Sequence, residues 1–205
     1  MTKNIEHKIC AIFPVPIYFS KLNRNFNQVE LNAFKDLEMV KNYANQNSKD
    51  TYILDKKPLL NLKNELLRVV EDYYERVVSP SNKIKPFITQ SWLNYTKENE
   101  SHHKHYHSNS YVSGVLYIDV DENKDKIWFH KDGYEALKPE VKEHHLFNSR
   151  NWFFPVKNFD IILFPSNLSH SVETKSEKNT RISLAFNTFF KGKIGSLGSL
   201  TELKI

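Results

Sequence analysis

The chain has 205 residues, a formal net charge of +5 and a hydrophobic fraction of 40%. These values are typical of one globular domain with a substantial core, and they argue against a disordered or fibrous protein. The pI near 9.1 would suit a nucleic-acid-binding protein. The basic residues are scattered among acidic ones, however, and no block of like charges occurs, so we expect no nucleic-acid partner.

Cysteine content and hydropathy bear on the compartment. The only cysteine, Cys10, excludes a disulfide within the chain and a cysteine-rich zinc site, which fits a reducing compartment. We expect Cys10 itself to be a small buried hydrophobe. Pro14 and Pro16 interrupt the first apolar stretch, and no stretch approaches the roughly 20 apolar residues of a membrane span. We therefore expect a cytoplasmic protein without membrane contact, in an oligomeric state that the sequence leaves open, a homodimer included.

The first part of the chain predicts an edge strand and two helices. Residues 8–19 are apolar and extended in character, but two prolines restrict them to a sheet edge. Residues 27–41 carry apolar side chains at three-residue spacing, which predicts a helix. A longer helix is predicted after Pro58, because a broad apolar stripe runs from Leu59 to Tyr74.

From residue 86 onward the pattern changes to strands and turns. Strands are predicted at 87–95, 111–120, 126–129, 152–156, 159–164, 170–173 and 180–190, the last two forming a hairpin. Residues 130–150 predict a long loop or lid. Residues 192–198 hold three of the five glycines and predict neither strand nor helix. The predicted fold class is α+β, a jelly-roll or barrel sheet backed by N-terminal helices.

Three histidines form the strongest functional candidate. His105 and His107 form an H-x-H pair at the edge of a predicted strand, where alternation turns both side chains to one side. His170 follows the apolar strand DIILFP. A lone histidine there would more often be a satisfied core residue, but a pair met by a third imidazole can hold a transition metal with open coordination positions.

Other assignments of the ligands stay open at this point. His102 or His103 could replace His105 as the first ligand, and the whole tract could be an exposed polar turn. A pair of His107 and Asn109 is less attractive, because an amide is a poor transition-metal ligand. A displaced acidic ligand could come from one of three residues that more readily serve as solvated turn residues: Asp119, Asp121 and Glu122.

Arg181 is the candidate anion-binding residue. Its guanidinium offers a rigid two-donor fork for a carboxylate. It shares one strand face with Ser183, Ala185 and Asn187, and a polar row inside a barrel needs a ligand or water. Weaker candidates for contacts to a cosubstrate or substrate are Asn94 and Tyr117. The alternative is an exposed strand whose Arg181 forms a surface ion pair.

Two segments carry a family resemblance. WLNYTKENESHHKHYHSNSYVSGVLYIDV and LFPSNLSHSVETKSEKNTRISLAFN resemble the 2-oxoglutarate/Fe(II)-dependent dioxygenase superfamily, in particular its small prolyl-hydroxylase-like branch frequent in phages and marine bacteria. IFPVPIY and NTFFKGKIGSLG extend the resemblance over nearly the whole chain. It implies a double-stranded β-helix, or jelly roll, as a single domain over residues 1–205, with supporting helices at 27–80 and the core at 86–190.

The resemblance also implies a site and a reaction. His105 would be the first metal ligand, His107 would occupy the usual carboxylate position, and His170 would be the distal ligand. Arg181, with Ser183, would hold 2-oxoglutarate. Fe(II), 2-oxoglutarate and O2 would together hydroxylate an unidentified small molecule or protein side chain, with release of succinate and CO2.

His107 departs from the family pattern. Three neutral imidazoles leave more positive charge at the metal than two histidines and an acid, which could weaken Fe(II) retention or admit zinc, nickel or copper. A metal- or small-molecule-binding jelly roll without turnover is therefore the alternative function. A phage or host interaction module that keeps the fold without the metal is a third hypothesis.

Overall fold

The computed structural model describes residues 5–133, 137 and 139–205, which form mostly β-structure with few helices. The elements in chain order are β1 Tyr18–Lys21, α1 Gln28–Lys35, β2 Met39–Lys41, β3 Gln46–Ser48, α2 Leu60–Tyr73, β4 Ile84–Thr96, β5 His102–His105, β6 Val112–Asp119, β7 Lys126–His130, β8 Asn151–Pro155, β9 Asp160–Pro165, β10 His170–Val172, β11 Arg181–Ile194 and β12 Leu203–Lys204. No helix in this described part of the chain has the length and hydropathy that crossing a membrane requires.

The strands form two antiparallel sheets. The larger sheet has the order β1-β9-β6-β11-β4-β3-β2, with β12 paired to β11, and the smaller has the order β5-β10-β7-β8. Strand β11 lies inside the larger sheet, between β6 and β4, and its pairing with β4 extends from Arg181 opposite Thr96 to Gly192 opposite Ile84. Between Ile182 and Thr188 both edges of β11 are therefore paired, which makes this part of the strand a rigid element.

Two apolar clusters fix the arrangement of layers. The first joins α2, through Leu62, Leu66 and Val70, to one face of the larger sheet, where Leu184 and Phe186 of β11 lie. The second joins residues of both sheets: Tyr117 of β6, Ile127 and Phe129 of β7, and Ile162 and Phe164 of β9. The helices thus cover one face of the larger sheet, and the smaller sheet covers the other. The odd-numbered residues of β11 point toward the smaller sheet, because successive side chains alternate.

The helix predicted at 27–41 is shorter in the structure. It starts where the Asn27 side chain accepts a hydrogen bond from the Glu30 amide and the Glu30 side chain accepts one from the Asn27 amide. Arg24 pairs with the buried Glu30 at 2.6 Å, which fixes this start further. The helix ends at Lys35, and its predicted last residues instead form β2, the first strand of a hairpin with β3 that the sequence did not predict.

Other expectations are corrected by the structure. Only the end of the predicted strand 8–19 is a strand, since β1 begins at Tyr18, and Cys10 is exposed. The glycine-containing tail does form strands, because β11 continues to Ile194 and pairs with β12. His170 and Arg181 are not in one hairpin: β10 belongs to the smaller sheet and β11 to the larger. The described part of 131–150 has neither helix nor strand, and the lid prediction lies partly outside the described residues, at 134–136 and 138.

Gly114 of β6 marks a close approach between strands and offers a test of the packing. A Cβ at this position would lie 2.2 Å from Cζ of Phe186 and 2.6 Å from Cδ2 of Leu163. We expect Gly114→Ala to lower the free energy of unfolding by about 1–3 kcal/mol, the usual cost of overpacking. Denaturant unfolding measures this. Gly198→Ala is the control, because a Cβ added at that position would have no atom within 4 Å. An equal decrease in the free energy of unfolding of the two variants would contradict the packing argument.

Candidate metal and cosubstrate site

The structure brings His105, His107 and His170 together. Their candidate donor atoms all lie within 4.8 Å of one another, and within the described residues no other group of three or more histidine, cysteine or acidic side chains meets this criterion. His105 of β5 is the direct cross-strand partner of His170 of β10. The ring centroids are 4.3 Å apart for His105 and His170, and 5.1 Å apart for His107 and His170. We call these three residues the histidine triad.

His107 reaches the triad by a different route from the one that strand alternation predicts. Strand β5 ends at His105, so His107 lies in the turn beyond it. The backbone amide of His107 donates to the carbonyl oxygen of Ser166 at 2.8 Å, just past the end of β9. A contact to the larger sheet, rather than continuation of the strand, therefore sets the position of His107.

Each imidazole of the triad has an oxygen partner at Nδ1. His105 Nδ1 lies 2.7 Å from the His103 carbonyl oxygen, and His170 Nδ1 lies 3.0 Å from the Leu168 carbonyl oxygen. His107 Nδ1 lies 2.5 Å from Oδ1 of Asn187. Since a carbonyl oxygen only accepts, each Nδ1 carries the proton and each Nε2 presents a lone pair. This is the arrangement in which three Nε2 atoms can bind one cation.

The surroundings keep the triad uncharged in the metal-free protein. The pKa of His105 is lowered to about 4, chiefly by burial and also by the neighbouring His107 and His103, against the opposing effect of the hydrogen bond to the His103 carbonyl. Burial also lowers the pKa of His107, and it lowers that of His170 well below the usual value. Neutral imidazole is the form that binds metals, so the site is ready for a cation near neutral pH.

These shifts predict how metal-free stability depends on pH. An unfolded histidine takes up a proton at about pH 6.5, whereas folded His105 takes one up at about pH 4. Between these two pKa values the unfolded state binds more protons than the folded state. The free energy of unfolding is therefore highest above the unfolded pKa and decreases as the pH falls toward the folded pKa. Denaturant midpoints at about pH 7.5 and about pH 5.5 should show this fall, and His105→Asn should show a smaller one. Parallel curves for the two proteins would contradict the prediction.

Arg181 lies at the start of β11 and is almost completely buried, at 3% exposure. Its Nη2 donates weakly to Oγ1 of Thr96 at 3.4 Å, while Nε has no partner. Among the described residues it forms no salt bridge; the charge of the buried Asp125 acts on it without direct contact, and that carboxylate is paired with Lys175 at 3.4 Å. Burial lowers the pKa of Arg181. The alternative in which Arg181 forms a surface ion pair on an exposed strand is therefore wrong. A buried cation without a salt bridge is stabilised when an anion binds to it.

The other predicted cosubstrate residues lie in one row across the larger sheet. Ser183 of β11 is the cross-strand partner of Asn94 on β4 and of Tyr117 on β6. All three are buried, and Oδ1 of Asn94 has no hydrogen-bond partner. Burial raises the pKa of Tyr117, and the charge of Arg181 opposes that rise. The inner face of the larger sheet therefore carries a row of polar side chains near the buried guanidinium of Arg181. One acceptor in this row, Oδ1 of Asn94, is without a hydrogen bond among the described residues.

The guanidinium lies within electrostatic reach of the histidines. The pKa of His102 is lowered to about 3, chiefly by burial and also by His105, His103 and the charge of Arg181. The ring of His102 stacks on that of His105 with centroids 4.4 Å apart, but His102 is not a member of the triad. His103 is exposed and contacts Tyr43. His102 and His103 therefore flank the triad and do not replace His105.

The proposed acidic substitutes serve the turn after β6. Asp121 accepts the amide of Asn123 at 3.0 Å, and Glu122 accepts the amide of Asn158 at 3.2 Å. Asn109 adopts a left-handed backbone conformation in the turn before β6, with φ of 56°. Neither Asp119 nor these residues belong to the described donor group at the triad. The sequence did not identify Ser113 and Ser166 as part of the site; only Asn187, on the same strand face as Arg181, carried a visible signal.

Comparison with known proteins places these features in a family. Residues 90–187 match a family model described as "Putative 2OG-Fe(II) oxygenase". The matched segment is just under half of the chain, and it contains the triad, Arg181, Ser183, Asn94 and Tyr117. No curated protein matches the sequence.

Solved structures share the fold at low sequence identity. A 2OG-Fe(II) oxygenase family oxidoreductase from Burkholderia pseudomallei is similar with a TM-score of 0.58 and 14% identity, over 83% of each chain. HygX from Streptomyces hygroscopicus, solved with nickel and 2-oxoglutarate, has a TM-score of 0.57 and 13% identity, over 85% of this chain and 82% of its own. A prolyl-4-hydroxylase from Pseudomonas putida has a TM-score of 0.51 and 11% identity, over 85% of this chain and 92% of its own.

The structural likeness establishes the fold, and the family match covers the segment in which the triad and the buried arginine lie. The prediction from the sequence motifs is therefore confirmed at the level of the family. Residues 90–187 are therefore similar to the 2OG-Fe(II) oxygenase family, and the fold of the chain is similar to that of solved members of that family.

Proposed function

We propose that this protein is a 2-oxoglutarate- and Fe(II)-dependent dioxygenase of the hydroxylase type, with the histidine triad as its metal ligands and Arg181 as its 2-oxoglutarate anchor. We further propose that its two sheets form a double-stranded β-helix, with the site between them. The observation that supports this most is the presence, in one part of the fold, of three clustered imidazoles and a buried guanidinium that forms no salt bridge among the described residues.

The donor set suits the metal. Imidazole nitrogen binds iron, zinc, nickel and copper, so three of them accept Fe(II) without selecting it strongly. The Nδ1 contacts of the triad orient all three rings before any ion arrives, so little ordering remains to be done on binding. The residues present therefore fit a divalent transition metal with coordination positions left for other ligands.

Arg181 suits a dicarboxylate cosubstrate. Its free Nε and weakly bonded Nη2 form one side of a two-donor fork. A carboxylate bound there would compensate the buried charge, and Ser183 can donate its hydroxyl proton to the same group. The opposite end of 2-oxoglutarate would then point along the inner face of the sheet toward the triad.

When bound, Fe(II) and 2-oxoglutarate supply the oxidising chemistry by which one atom of O2 enters a C–H bond and the other enters succinate, with loss of CO2. The residues of this chain orient the reactants and exclude water. The His170 ring contacts the Phe164 ring at a centroid distance of 4.7 Å, and the His107 ring contacts Trp92 at 5.6 Å. These aromatic side chains lower the local polarity around the triad, which strengthens electrostatic interactions there.

The substrate would approach from the side where the triad is least covered. Tyr106 lies between two triad residues in the chain and is 61% exposed. Ser169, beside His170, donates to Asp132, and Lys104, beside His105, pairs with the same carboxylate. These contacts hold Asp132 next to the triad, beside the side from which a small-molecule or protein side-chain substrate would reach the site.

The experiment is coupled turnover. Purified protein with Fe(II), ascorbate, O2 and 2-oxoglutarate should release succinate, and release should stop when 2-oxoglutarate is omitted. Oxygenases of this kind often turn over slowly without their substrate, so calorimetric binding of 2-oxoglutarate to the Ni(II)-loaded protein is measured beside it. Metal binding without 2-oxoglutarate binding or succinate would favour a metal-binding protein without turnover. Absence of metal binding would overturn the assignment of the site.

A further inference from the structure

His107 differs from the other two histidines of the triad in the partner of its Nδ1 atom. His105 and His170 direct Nδ1 to backbone carbonyls, whereas His107 directs Nδ1 to the side chain of Asn187. His107 is also the residue that stands where most of the superfamily carries an acid. The structure thus places a dedicated side-chain partner behind the one ligand that departs from the family pattern.

Asn187 reaches His107 through the geometry of the larger sheet. The register between β11 and β4 shifts between Phe186 and Thr188, and the side chain of Thr89 donates to the Asn187 carbonyl oxygen at this shift, at 3.1 Å. Such irregularities re-aim side chains and are common beside active sites. On the other edge of β11, Asn187 is the cross-strand partner of Ser113.

A chain of hydroxyl groups continues the contact. Ser113 Oγ lies 2.9 Å from Oδ1 of Asn187 and 3.1 Å from Nδ1 of His107. It also lies 2.8 Å from Oγ of Ser166, which donates to Oγ of Ser110 at 2.7 Å. Ser113, Ser166 and Asn187 are buried, at 0%, 1% and 7% exposure. We call these three residues, together with Ser110, the His107 support network.

The far end of the His107 support network fixes the direction of its protons. Ser110 lies 3.2 Å from the carbonyl oxygens of Val112 and Thr188, which can only accept. Its proton is therefore donated there, so the hydroxyl of Ser166 donates toward Ser110, and that of Ser113 donates toward Ser166 or Asn187. Oδ1 of Asn187 carries no hydrogen, so its short contact with Nδ1 of His107 needs the proton of the imidazole itself.

We infer that Asn187 is a positioning residue that holds His107 as the Nδ1-protonated neutral imidazole, and that this makes histidine a working ligand at the usual carboxylate position. The inference rests on the proposed metal site. Removal of such an outer partner typically weakens metal binding by roughly 10- to 100-fold. An amide acceptor keeps the imidazole neutral, whereas a carboxylate in its place would keep the orientation and add negative charge near the ion.

The test compares three variants. Asn187→Leu removes the acceptor, Asn187→Asp keeps it, and Thr188→Val is the matched control. Thr188 is the next residue on β11 and is fully buried, and its hydroxyl donates to the Val112 carbonyl at 2.7 Å without contact to His107. Unfolding of each metal-free variant is measured first, so that a general loss of structure is recognised.

Two readouts separate positioning from stability. In the metal-free protein, long-range proton–nitrogen correlation spectra should show His107 protonated at Nδ1 in wild type, Asn187→Asp and Thr188→Val, and a mixture of tautomers in Asn187→Leu. Titration with Co(II), followed by its visible absorption, should show affinity reduced roughly 10- to 100-fold in Asn187→Leu and restored in Asn187→Asp. The control should stay within a few-fold of wild type.

The outcomes distinguish this inference from the proposed function. Wild-type protein that binds no Co(II) would overturn the metal site, and the tautomer spectra would still report on Asn187. Wild-type binding with an unchanged tautomer and unchanged Co(II) affinity in Asn187→Leu would overturn the positioning role and leave the triad intact. Equal loss in Asn187→Leu and Thr188→Val would show that general destabilisation of β11 is the cause.

Discussion

Replacement of His170 by alanine is expected to abolish metal binding. His170 is 5% exposed, and its ring lies between those of His105 and Phe164. Two imidazoles remain after the change. Loss of a residue that only hydrogen-bonds to a metal ligand lowers metal affinity by about 10- to 100-fold, so loss of a ligand itself should lower the affinity for Ni(II) or Fe(II) by more than about 100-fold. Calorimetry under anaerobic conditions measures this loss directly. Thermal unfolding measures it independently, because a ligand at 100 times its Kd stabilises a protein by about 2.7 kcal/mol.

The matched control is His130→Ala. His130 lies at the end of β7 in the same sheet, and its Nε2 contacts Ser171 Oγ at 2.8 Å, directly beside His170 in the chain. It is an imidazole on a strand that pairs with β10, and it does not belong to the triad. We expect its metal affinity to stay within a few-fold of wild type. Wild-type metal affinity in His170→Ala, or equal losses in the two variants, would contradict the ligand assignment.

The second large effect is expected at Arg181. Arg181→Met keeps the length and apolar stem of the side chain and removes the charge. Truncation of one partner in a buried, hydrogen-bonded charge pair costs about 2–5 kcal/mol, which corresponds to a loss of roughly 30- to 4,000-fold in 2-oxoglutarate affinity. Metal binding should persist, since the triad is unchanged. Calorimetric titration of the Ni(II)-loaded variant with 2-oxoglutarate is the measurement.

The same substitution has an opposite expected effect on the protein without cosubstrate. Buried Arg181 has one weak hydrogen bond and an Nε without partner, so its charge is uncompensated in that state. Methionine relieves this cost, and we expect the unliganded variant to be at least as stable as wild type. Arg68→Met, at an exposed position of α2, should change neither property. A strongly destabilised Arg181→Met with normal 2-oxoglutarate affinity would show that Arg181 is a structural residue.

The sequence predicted elements where one physical signal dominated. The stripe on α2 has helical spacing, and its residues Leu62, Leu66 and Val70 are all buried against the larger sheet. The run IILF of β9 is apolar throughout because its residues alternate between the two clusters of the core, with Ile161 and Leu163 on one side and Ile162 and Phe164 on the other. Such patterns reflect burial, which the identity of each residue encodes locally.

The errors arose where tertiary contacts decide. Residues 39–41 continue a helical spacing, but pairing with β3 gives them strand structure. The apolar residues near Cys10 suggested burial, yet Ile9 and Phe13 are 67% and 94% exposed. Glycine at 192 did not end β11, because its φ of 132° fits the close approach of Lys83. None of these contacts is visible in a local window of sequence.

In the candidate site, too, the sequence revealed some residues, whereas others depend on tertiary contacts. Composition and spacing made His105, His107, His170 and Arg181 conspicuous, because an H-x-H pair, a histidine after an apolar strand and an arginine within an apolar strand have few other roles in common. Ser113 and Ser166 were not conspicuous, since serine occurs in every turn and their role depends on Asn187 and on contacts across three strands. The apparent hairpin of His170 with Arg181 was wrong because chain proximity does not reveal that the two strands belong to different sheets.

That separation into two sheets has a mechanical consequence. His105 and His170 belong to the four-stranded sheet, whereas His107 is tied through Asn187 and the Ser166 carbonyl to the larger one. An ion bound by all three histidines would crosslink the two sheets. Separation of the small sheet would then require release of the ion, so amide hydrogen exchange in β5 and β10 would slow on metal loading more than exchange in β11, which is already held on both edges.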